Sequence, residues 1–317
     1  MCKLSLVVPC YNEELNVECF YNTVKETFKE KIKEYEIVFI NDGSKDKTYE
    51  KLKDIVKTSD VDVKVINFSR NFGKEAAVLA GLRESTGDYV SVIDADMQQD
   101  PTVVLEMVDI LNNKPDVDCV AAFQKVRHES RILSFFKRAF YRIINRMSET
   151  KFVQGASDFR TCRRQVIDSI LSLKEYHRFS KGIFSWVGYN TEFIPYEAKP
   201  RHEGTSSWSF IKLFKYAIDG IVAYSVAPLK VPTFVGTLTS ISAIIYIIVA
   251  LIRNSILSFP ITTGQILIFV VLFMFGLQFI FIGIIGEYLS RNYIQSKNRP
   301  IYIIKNKIKS GEDVYYD

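Results

Sequence analysis

Two periods alternate along the first part of the chain. Leu4–Pro9, Glu36–Ile40, Val63–Phe68, Tyr89–Ile93 and Asp118–Phe123 are short, apolar and followed by turn-forming residues, the pattern of strands. Between them, near 14–30, 46–58, 74–86 and 102–113, apolar residues recur at helical spacing. This alternation predicts a doubly wound α/β domain with a mainly parallel sheet. No G-x-G-x-x-G turn follows the first strand, which runs instead into Pro9-Cys-Tyr-Asn-Glu-Glu14, so a nicotinamide-cofactor domain is disfavoured.

After Phe123 the pattern changes. Ile132, Phe135, Phe136, Phe140, Ile143, Ile144 and Met147 recur at helical spacing within 127–151, while Arg127, Arg131, Arg138 and Arg142 fall in a sector of roughly 60°. A basic amphipathic helix of this kind suits the headgroup layer of a membrane, where arginines meet lipid phosphate. The aromatic-rich stretch Trp208–Tyr224 reads as a second interfacial segment. It leads into two runs without charge, Val231–Ile252 and Asn254–Gly286, separated by Arg253. About 20 apolar residues span a bilayer as a helix, so two transmembrane helices are expected, near 231–252 and 265–286. Lys212, Lys215 and Lys230 precede them, and Arg291, Lys297, Arg299, Lys305, Lys307 and Lys309 follow. The positive-inside rule then places both flanks in the cytoplasm.

The expected organisation is a catalytic domain over 1–206 that includes the interfacial helix, a juxtamembrane helix over 207–230, a transmembrane hairpin over 231–286 and a basic tail over 287–317. Met1–Pro9 is too short for a signal sequence and runs straight into a strand, so the catalytic domain is expected to be cytosolic and the protein to sit in the cell membrane as a multi-pass chain. Composition refines this picture only slightly. Five cysteines without C-x-x-C spacing argue for reduced thiols and against a zinc site, and three scattered histidines make a histidine-rich metal centre implausible. The net charge of +5 is modest, and no nucleic-acid partner is expected.

The chemistry is concentrated at the predicted strand ends. Tyr89–Ile93 runs into Asp94-Ala-Asp96, and residues i and i+2 of an extended segment point the same way, so both carboxylates can converge on one hard divalent cation. Asp100-Pro101 then reads as a helix cap and first helical residue, which puts the pair in a strand-to-helix crevice. Three further polar clusters share that edge of a parallel sheet: Pro9-Cys-Tyr-Asn-Glu13, Asn41-Asp-Gly-Ser-Lys-Asp46 and Ser69-Arg-Asn-Phe-Gly-Lys74. Each alone is an ordinary turn. Four together point to a ligand site.

With these motifs, and with Ser157-Asp-Phe-Arg160, His177-Arg-Phe179, Trp186-Val-Gly188 and the two apolar runs, the chain resembles the membrane-bound polyprenyl-phosphate glycosyltransferases of glycosyltransferase family 2, which have the GT-A fold. It looks most similar to the bacterial undecaprenyl-phosphate glucosyltransferases, and more distantly to dolichyl-phosphate mannose synthases. The resemblance implies that Pro9, Tyr11, Glu13 and Asp42 hold the base and ribose of a nucleotide sugar. It implies that Lys74 belongs to the same binding set, that Asp94 contacts nucleotide and metal, that Asp96 is the principal ligand of Mg²⁺ or Mn²⁺, and that Gln98 assists. Arg201 would close over the diphosphate, with Ser207 standing where related sequences carry Lys. Arg127, Arg131 and Arg138 would steer the acceptor phosphate, and a homo-oligomer packed through the membrane region is implied.

A nucleoside diphosphate leaves readily only when its growing charge is neutralised, which is the role of a bound metal. The second pKa of a phosphate monoester is about 6, so a lipid phosphate is largely dianionic at neutral pH and needs no strong general base. Asp158, which the resemblance offers as that base, is therefore assigned to positioning acceptor or sugar. The expected reaction is inverting transfer of one hexose from a nucleotide sugar, UDP-glucose or UDP-N-acetylglucosamine, to undecaprenyl phosphate, giving a lipid-linked sugar for the cell envelope. The alternatives are a processive polysaccharide synthase, which would give longer products, and a non-catalytic membrane adaptor, which would bind nucleotide sugar without turnover.

Overall fold

The computed structural model describes residues 3–124, 156–176, 178–197 and 263–311, with Leu238, Ile241 and Ile245 as single positions. Eight strands form one sheet: β1 (Leu4–Cys10), β2 (Tyr35–Asn41), β3 (Asp62–Phe68), β4 (Tyr89–Val92), β5 (Cys119–Gln124), β6 (Ala156–Arg163), β7 (Thr191–Tyr196) and β8 (Ile304–Lys309). Among the described residues seven helices accompany them: α1 (Val17–Phe28), α2 (Thr48–Thr58), α3 (Lys74–Glu84), α4 (Pro101–Asn113), α5 (Arg164–Ser172), α6 (Ser180–Trp186) and α7 (Thr263–Ser296).

The spatial order is β7-β5-β6-β4-β1-β2-β3-β8. Its centre, β4-β1-β2-β3, is parallel throughout. The chain moves outward from β1 through β2 to β3 and then returns to the other side of β1 as β4. That reversal opens a crevice beyond the carboxyl ends of β1 and β4, the position where open α/β sheets bind ligands. The strands expected from periodicity are all present. The fifth is separated from β4 by the antiparallel strand β6, and it pairs in parallel with β7.

Both faces of the sheet are covered. Phe20, Val24 and Phe28 of α1, Leu52 of α2 and Met107 of α4 pack with Leu6, Phe39 and Val65 on one side. Ala77 and Ala80 of α3, Ile167 of α5 and Phe184 of α6 pack with Val7, Ile40 and Val92 on the other. The small residues of α3 let it lie close to the sheet: a Cβ on Gly81 would stand 2.2 Å from Val7 Cγ1 and 2.7 Å from Ile40 Cδ1. α4 begins as its sequence predicts, with Pro101 in the first turn and the Asp100 carboxylate accepting from the Thr102 N–H at 3.0 Å.

Two features depart from the reading of the sequence, and a third bears on the expected spans. Residues assigned to a basic tail form the end of α7 and the strand β8, which pairs antiparallel with β3. Cys119 and Cys162 face each other in the β5–β6 register with their sulfurs joined, so these two are not separate thiols; Cys10 and Cys19 are free. The pairing depends on strand register, which cysteine spacing does not report. Finally, the span expected at 265–286 falls inside α7, a helix of 34 residues whose side chains are described only in part. Among the described residues no helix is long and apolar enough to cross a membrane. The interfacial helix near 127–151, the stretch 208–224 and most of the first expected span lie outside the described residues.

Candidate active site

The crevice is built from four loops that lock onto one another. After β1, the Asn12 N–H donates to Ser44 Oγ at 3.0 Å, the Glu13 N–H to Thr48 Oγ1 at 2.8 Å and the Glu14 N–H to Asp46 Oδ2 at 3.2 Å. The Lys45 N–H returns to Asn12 Oδ1 at 2.9 Å. The loops after β1 and β2 are therefore one unit. Asn12 adopts φ +56°, an uncommon conformation that asparagine tolerates better than most residues. Within this unit Pro9 is the penultimate residue of β1, Tyr11 presents an exposed ring, and the Glu13 carboxylate accepts from Asn16 Nδ2 at 2.6 Å.

Asp42 ties this unit to the third loop. It is buried, and its two carboxylate oxygens accept from the N–H groups of Phe72 and Gly73 at 2.7 and 2.9 Å. Burial pushes its carboxyl up, against the pull of those two N–H groups and of Arg70. Gly43 makes the close approach possible: it sits at φ +62°, and a Cβ there would stand 2.3 Å from the Arg70 carbonyl carbon. In this structure Asp42 therefore braces the loop that starts α3.

That loop delivers Lys74 to the acidic pair. Its Nζ lies 2.6 Å from Asp94 Oδ1 and 2.8 Å from Asp94 Oδ2, and 3.8 Å from Asp158 Oδ2. Burial would lower the lysine pKa, but the charges of Asp94 and then Asp158 outweigh it and hold the ammonium above its ordinary range. Asp94 is fixed from the other side by Gln99, whose Oε1 accepts from the Asp94 N–H at 3.0 Å while its Nε2 donates to Asp94 Oδ2 at 3.1 Å. The sequence points to Gln98 here. The structure gives Gln98 a backbone N–H to Asp96 Oδ1 at 3.2 Å and gives the grip on Asp94 to buried Gln99.

The acidic pair does not continue the strand as its sequence pattern predicts. β4 ends at Val92, so Asp94-Ala-Asp96 is a turn and not an extended segment. Asp96 is only 7% exposed, and Met97 beside it has φ +63°. A non-glycine residue held there stores strain, as residues at functional sites often do.

Behind Lys74 lies a further group of charges that joins Asp158 to Glu75 and Arg160. The Glu75 carboxylate accepts from the Ser180 N–H at 3.1 and 3.0 Å and from the Ser180 hydroxyl, so α3 grips the start of α6. Burial and the nearby Asp158 push Glu75 up to about 7. Arg160, two residues along β6 from Asp158, is buried with its guanidinium 4.0 Å from the Phe184 ring centre, and burial lowers its pKa. Cys10 is buried at the end of β1, where desolvation and then Glu13 and Asp94 push its thiol well up, so it is no nucleophile. Arg127, Arg131, Arg138, Arg201 and Ser207 lie outside the described residues.

The donor set suits a hard divalent cation in part. Among the described residues no group of three or more His, Cys, Asp and Glu converges as a cage. Mg²⁺ and related ions are commonly held by one or two carboxylates with substrate phosphates completing the shell; Asp96 and Asp94 supply such carboxylates, with both Asp94 oxygens engaged by Lys74 Nζ in this structure.

A central parallel sheet with an acidic turn at its switch point, braced by interlocked loops, defines a GT-A-like glycosyltransferase domain. Residues 5–171 match the sequence profile described as Glycosyl transferase family 2, and the chain belongs to that family. The bactoprenol glucosyl transferase of Shigella phage SfV is 39% identical over 306 residues, covering 96% of this chain and 99% of its own. The prophage bactoprenol glucosyl transferase homolog of Escherichia coli (strain K12) is 38% identical over 304 residues, covering 96% and 98%. Among solved structures, glucosyl-3-phosphoglycerate synthase from Mycobacterium tuberculosis in complex with Mn²⁺, uridine diphosphate and phosphoglyceric acid aligns with a TM-score of 0.49 and 16% identity over 70% of this chain and 76% of that one. The protein is thus an enzyme, a glycosyltransferase.

Proposed function

We infer that this enzyme transfers one glucose from UDP-glucose to a polyprenyl phosphate at the cytoplasmic face of the membrane, with inversion at the anomeric carbon. The observation that carries this reading is the Asp94–Lys74–Asp158 bridge at the switch point, together with full-length similarity to proteins named bactoprenol glucosyl transferases. Pro9, Tyr11, Glu13 and Asp42 surround the nucleoside end of the crevice. Asp94 and Asp96, with Gln98 beside them, would hold Mg²⁺ or Mn²⁺, and the ion would supply charge to offset that growing on the departing diphosphate.

The acceptor phosphate oxygen attacks the anomeric carbon as the bond from that carbon to the UDP oxygen breaks, and the electron pair leaves with UDP. A monoester with a second pKa of about 6 is already a nucleophile at neutral pH, so no side chain has to take a proton. Asp158, held beside Lys74, orients sugar or acceptor. Arg201 closes over the diphosphate, and Arg127, Arg131 and Arg138 guide the lipid phosphate. The apolar runs 231–252 and 265–286 anchor the enzyme beside its acceptor in a multi-pass arrangement, as a homo-oligomer.

A panel of UDP- and GDP-sugars, each radiolabelled and offered with undecaprenyl phosphate, tests the assignment. Label from UDP-glucose is expected in the lipid fraction as a single β-linked residue. Lipid products longer than one sugar would replace the reading with a processive synthase, and tight binding without transfer from any donor would replace it with an adaptor.

A further inference from the structure

A second recess lies away from the acidic crevice, where the last turn of α3, the segment after α5 and the end of α7 meet the lead into β8. It has a volume of about 180 Å³, and its lining includes Arg83, Lys174, Tyr176, Gln295, Arg299 and Tyr302. Arg83 and Lys74 stand near opposite ends of α3, which at 1.5 Å per residue separates the two sites by roughly 14 Å along the helix.

The walls are fixed by contacts that do not involve a ligand. Gln295 Oε1 accepts from the Tyr176 N–H and Gln295 Nε2 donates to the Lys174 carbonyl, both at 2.8 Å, so the end of α7 clamps the 174–176 segment. The Tyr302 ring stacks on Phe68 of β3 with centroids 5.0 Å apart. Arg83 lies over that ring, 5.6 Å from its centre, and donates to its hydroxyl at 3.3 Å.

The charge is one-sided. Among the described residues no acidic side chain lines the recess, and Glu84, next to Arg83, is taken by Lys307 at 2.5 Å. Among the described residues none of Arg83, Lys174 and Arg299 has a carboxylate within ion-pair distance. Three like charges around one concavity repel one another, and an entering anion relieves the repulsion. Arginine forks match phosphate oxygens in geometry, and the Tyr302 hydroxyl, which accepts from Arg83, keeps its own O–H as a neutral donor.

We propose that this recess is a second anion site that binds a phosphate group, separate from the acidic crevice and independent of its chemistry. The phosphate is carried either by a soluble compound or by an anionic lipid headgroup, and the test separates the two. Full-length protein is placed in phosphatidylcholine nanodiscs, with UDP and Mn²⁺ present throughout to fill the crevice, and thermal unfolding is followed against inorganic phosphate. In a second arm, without phosphate, phosphatidylcholine discs are compared with discs containing phosphatidylglycerol.

A stabilisation of roughly 3 °C is expected at ten times the dissociation constant. It should be lost in the Lys174→Gln/Arg299→Gln variant. A rise with inorganic phosphate assigns the site to a soluble ligand, and a rise only with phosphatidylglycerol assigns it to lipid. If the double variant does not fold, Arg299→Gln alone gives the same comparison, because the Arg299 side chain makes no polar contact among the described residues. No rise in either arm, or an equal rise in the variant, overturns the proposal.

Discussion

Lys74 carries the most weight of any single residue in the crevice, because its ammonium separates Asp94 from Asp158. Lys74→Met leaves those carboxylates without their shared cation and removes a fixed positive charge from the side where a diphosphate departs. Losing one such group costs roughly a hundredfold in kcat, and steady-state kinetics on UDP-glucose should show it. An unchanged kcat would remove Lys74 from the machinery. Glu75 gives a different signal. With its carboxyl pushed up to about 7 by burial and Asp158, the folded protein binds a proton more tightly than the unfolded chain, whose carboxyl has the ordinary 4.5. The stability this contributes is present below about 4.5 and is lost as pH rises through 7. Glu75→Gln keeps a hydrogen-bonding partner for Ser180 and abolishes the titration, so its Tm should fall less than the wild type's between pH 5 and 8. Parallel Tm profiles would show that Glu75 is not the titrating group. Asp94 and Asp96 were legible in the sequence because a strand pattern ends on them. Gln99 and Glu75 were not, since their partners are fixed by a turn and by a helix 105 residues away.

At the scale of elements, α3 lies close against the sheet. A Cβ on Gly81 would run into Val7 and Ile40, so Gly81→Ala should destabilise by roughly 1–3 kcal/mol despite alanine's better helix propensity. Chemical denaturation measures this, and pairing the change with Val7→Ala should restore part of the loss. β8 offers a second handle. Asn67 Nδ2 donates to Asn306 Oδ1 at 2.8 Å, and Asn306 Nδ2 donates to the Tyr49 hydroxyl at 2.6 Å. Asn306→Leu strands buried Asn67 and should cost about 1–3 kcal/mol in the same experiment. The first five strands and four helices were readable because each shows its period within a few residues. β8, with the sequence Ile-Lys-Asn-Lys-Ile-Lys, carries lysines on alternate positions, as a protected edge does, and finds β3 some 240 residues away in sequence. No local pattern announces a pairing of that range. β6 and β7 escaped notice for a related reason, because polar and charged residues interrupt their apolar positions.

At the scale of the whole molecule, an α/β domain is joined to a long helix that exposes Leu267, Val270, Phe275, Ile280, Ile282, Ile285 and Leu289. Leu238, Ile241 and Ile245, within the first charge-free run, are likewise helical and exposed. Apolar surface of this extent is characteristic of a surface that another phase or partner covers. The protein is expected to sediment with membranes and to resist alkaline carbonate extraction; release by carbonate would exclude a membrane-spanning hairpin. A divalent requirement centred on the turn after β4 is likewise expected. The most direct measurement is transfer of label from UDP-glucose into undecaprenyl phosphate by membranes holding the wild type, the wild type with EDTA, and Asp96→Ala. Transfer is expected to be abolished by EDTA, restored by Mg²⁺ or Mn²⁺, and absent in the variant under all conditions. Undiminished transfer by Asp96→Ala, or by the wild type in EDTA, would remove Asp96 and the metal from the reaction.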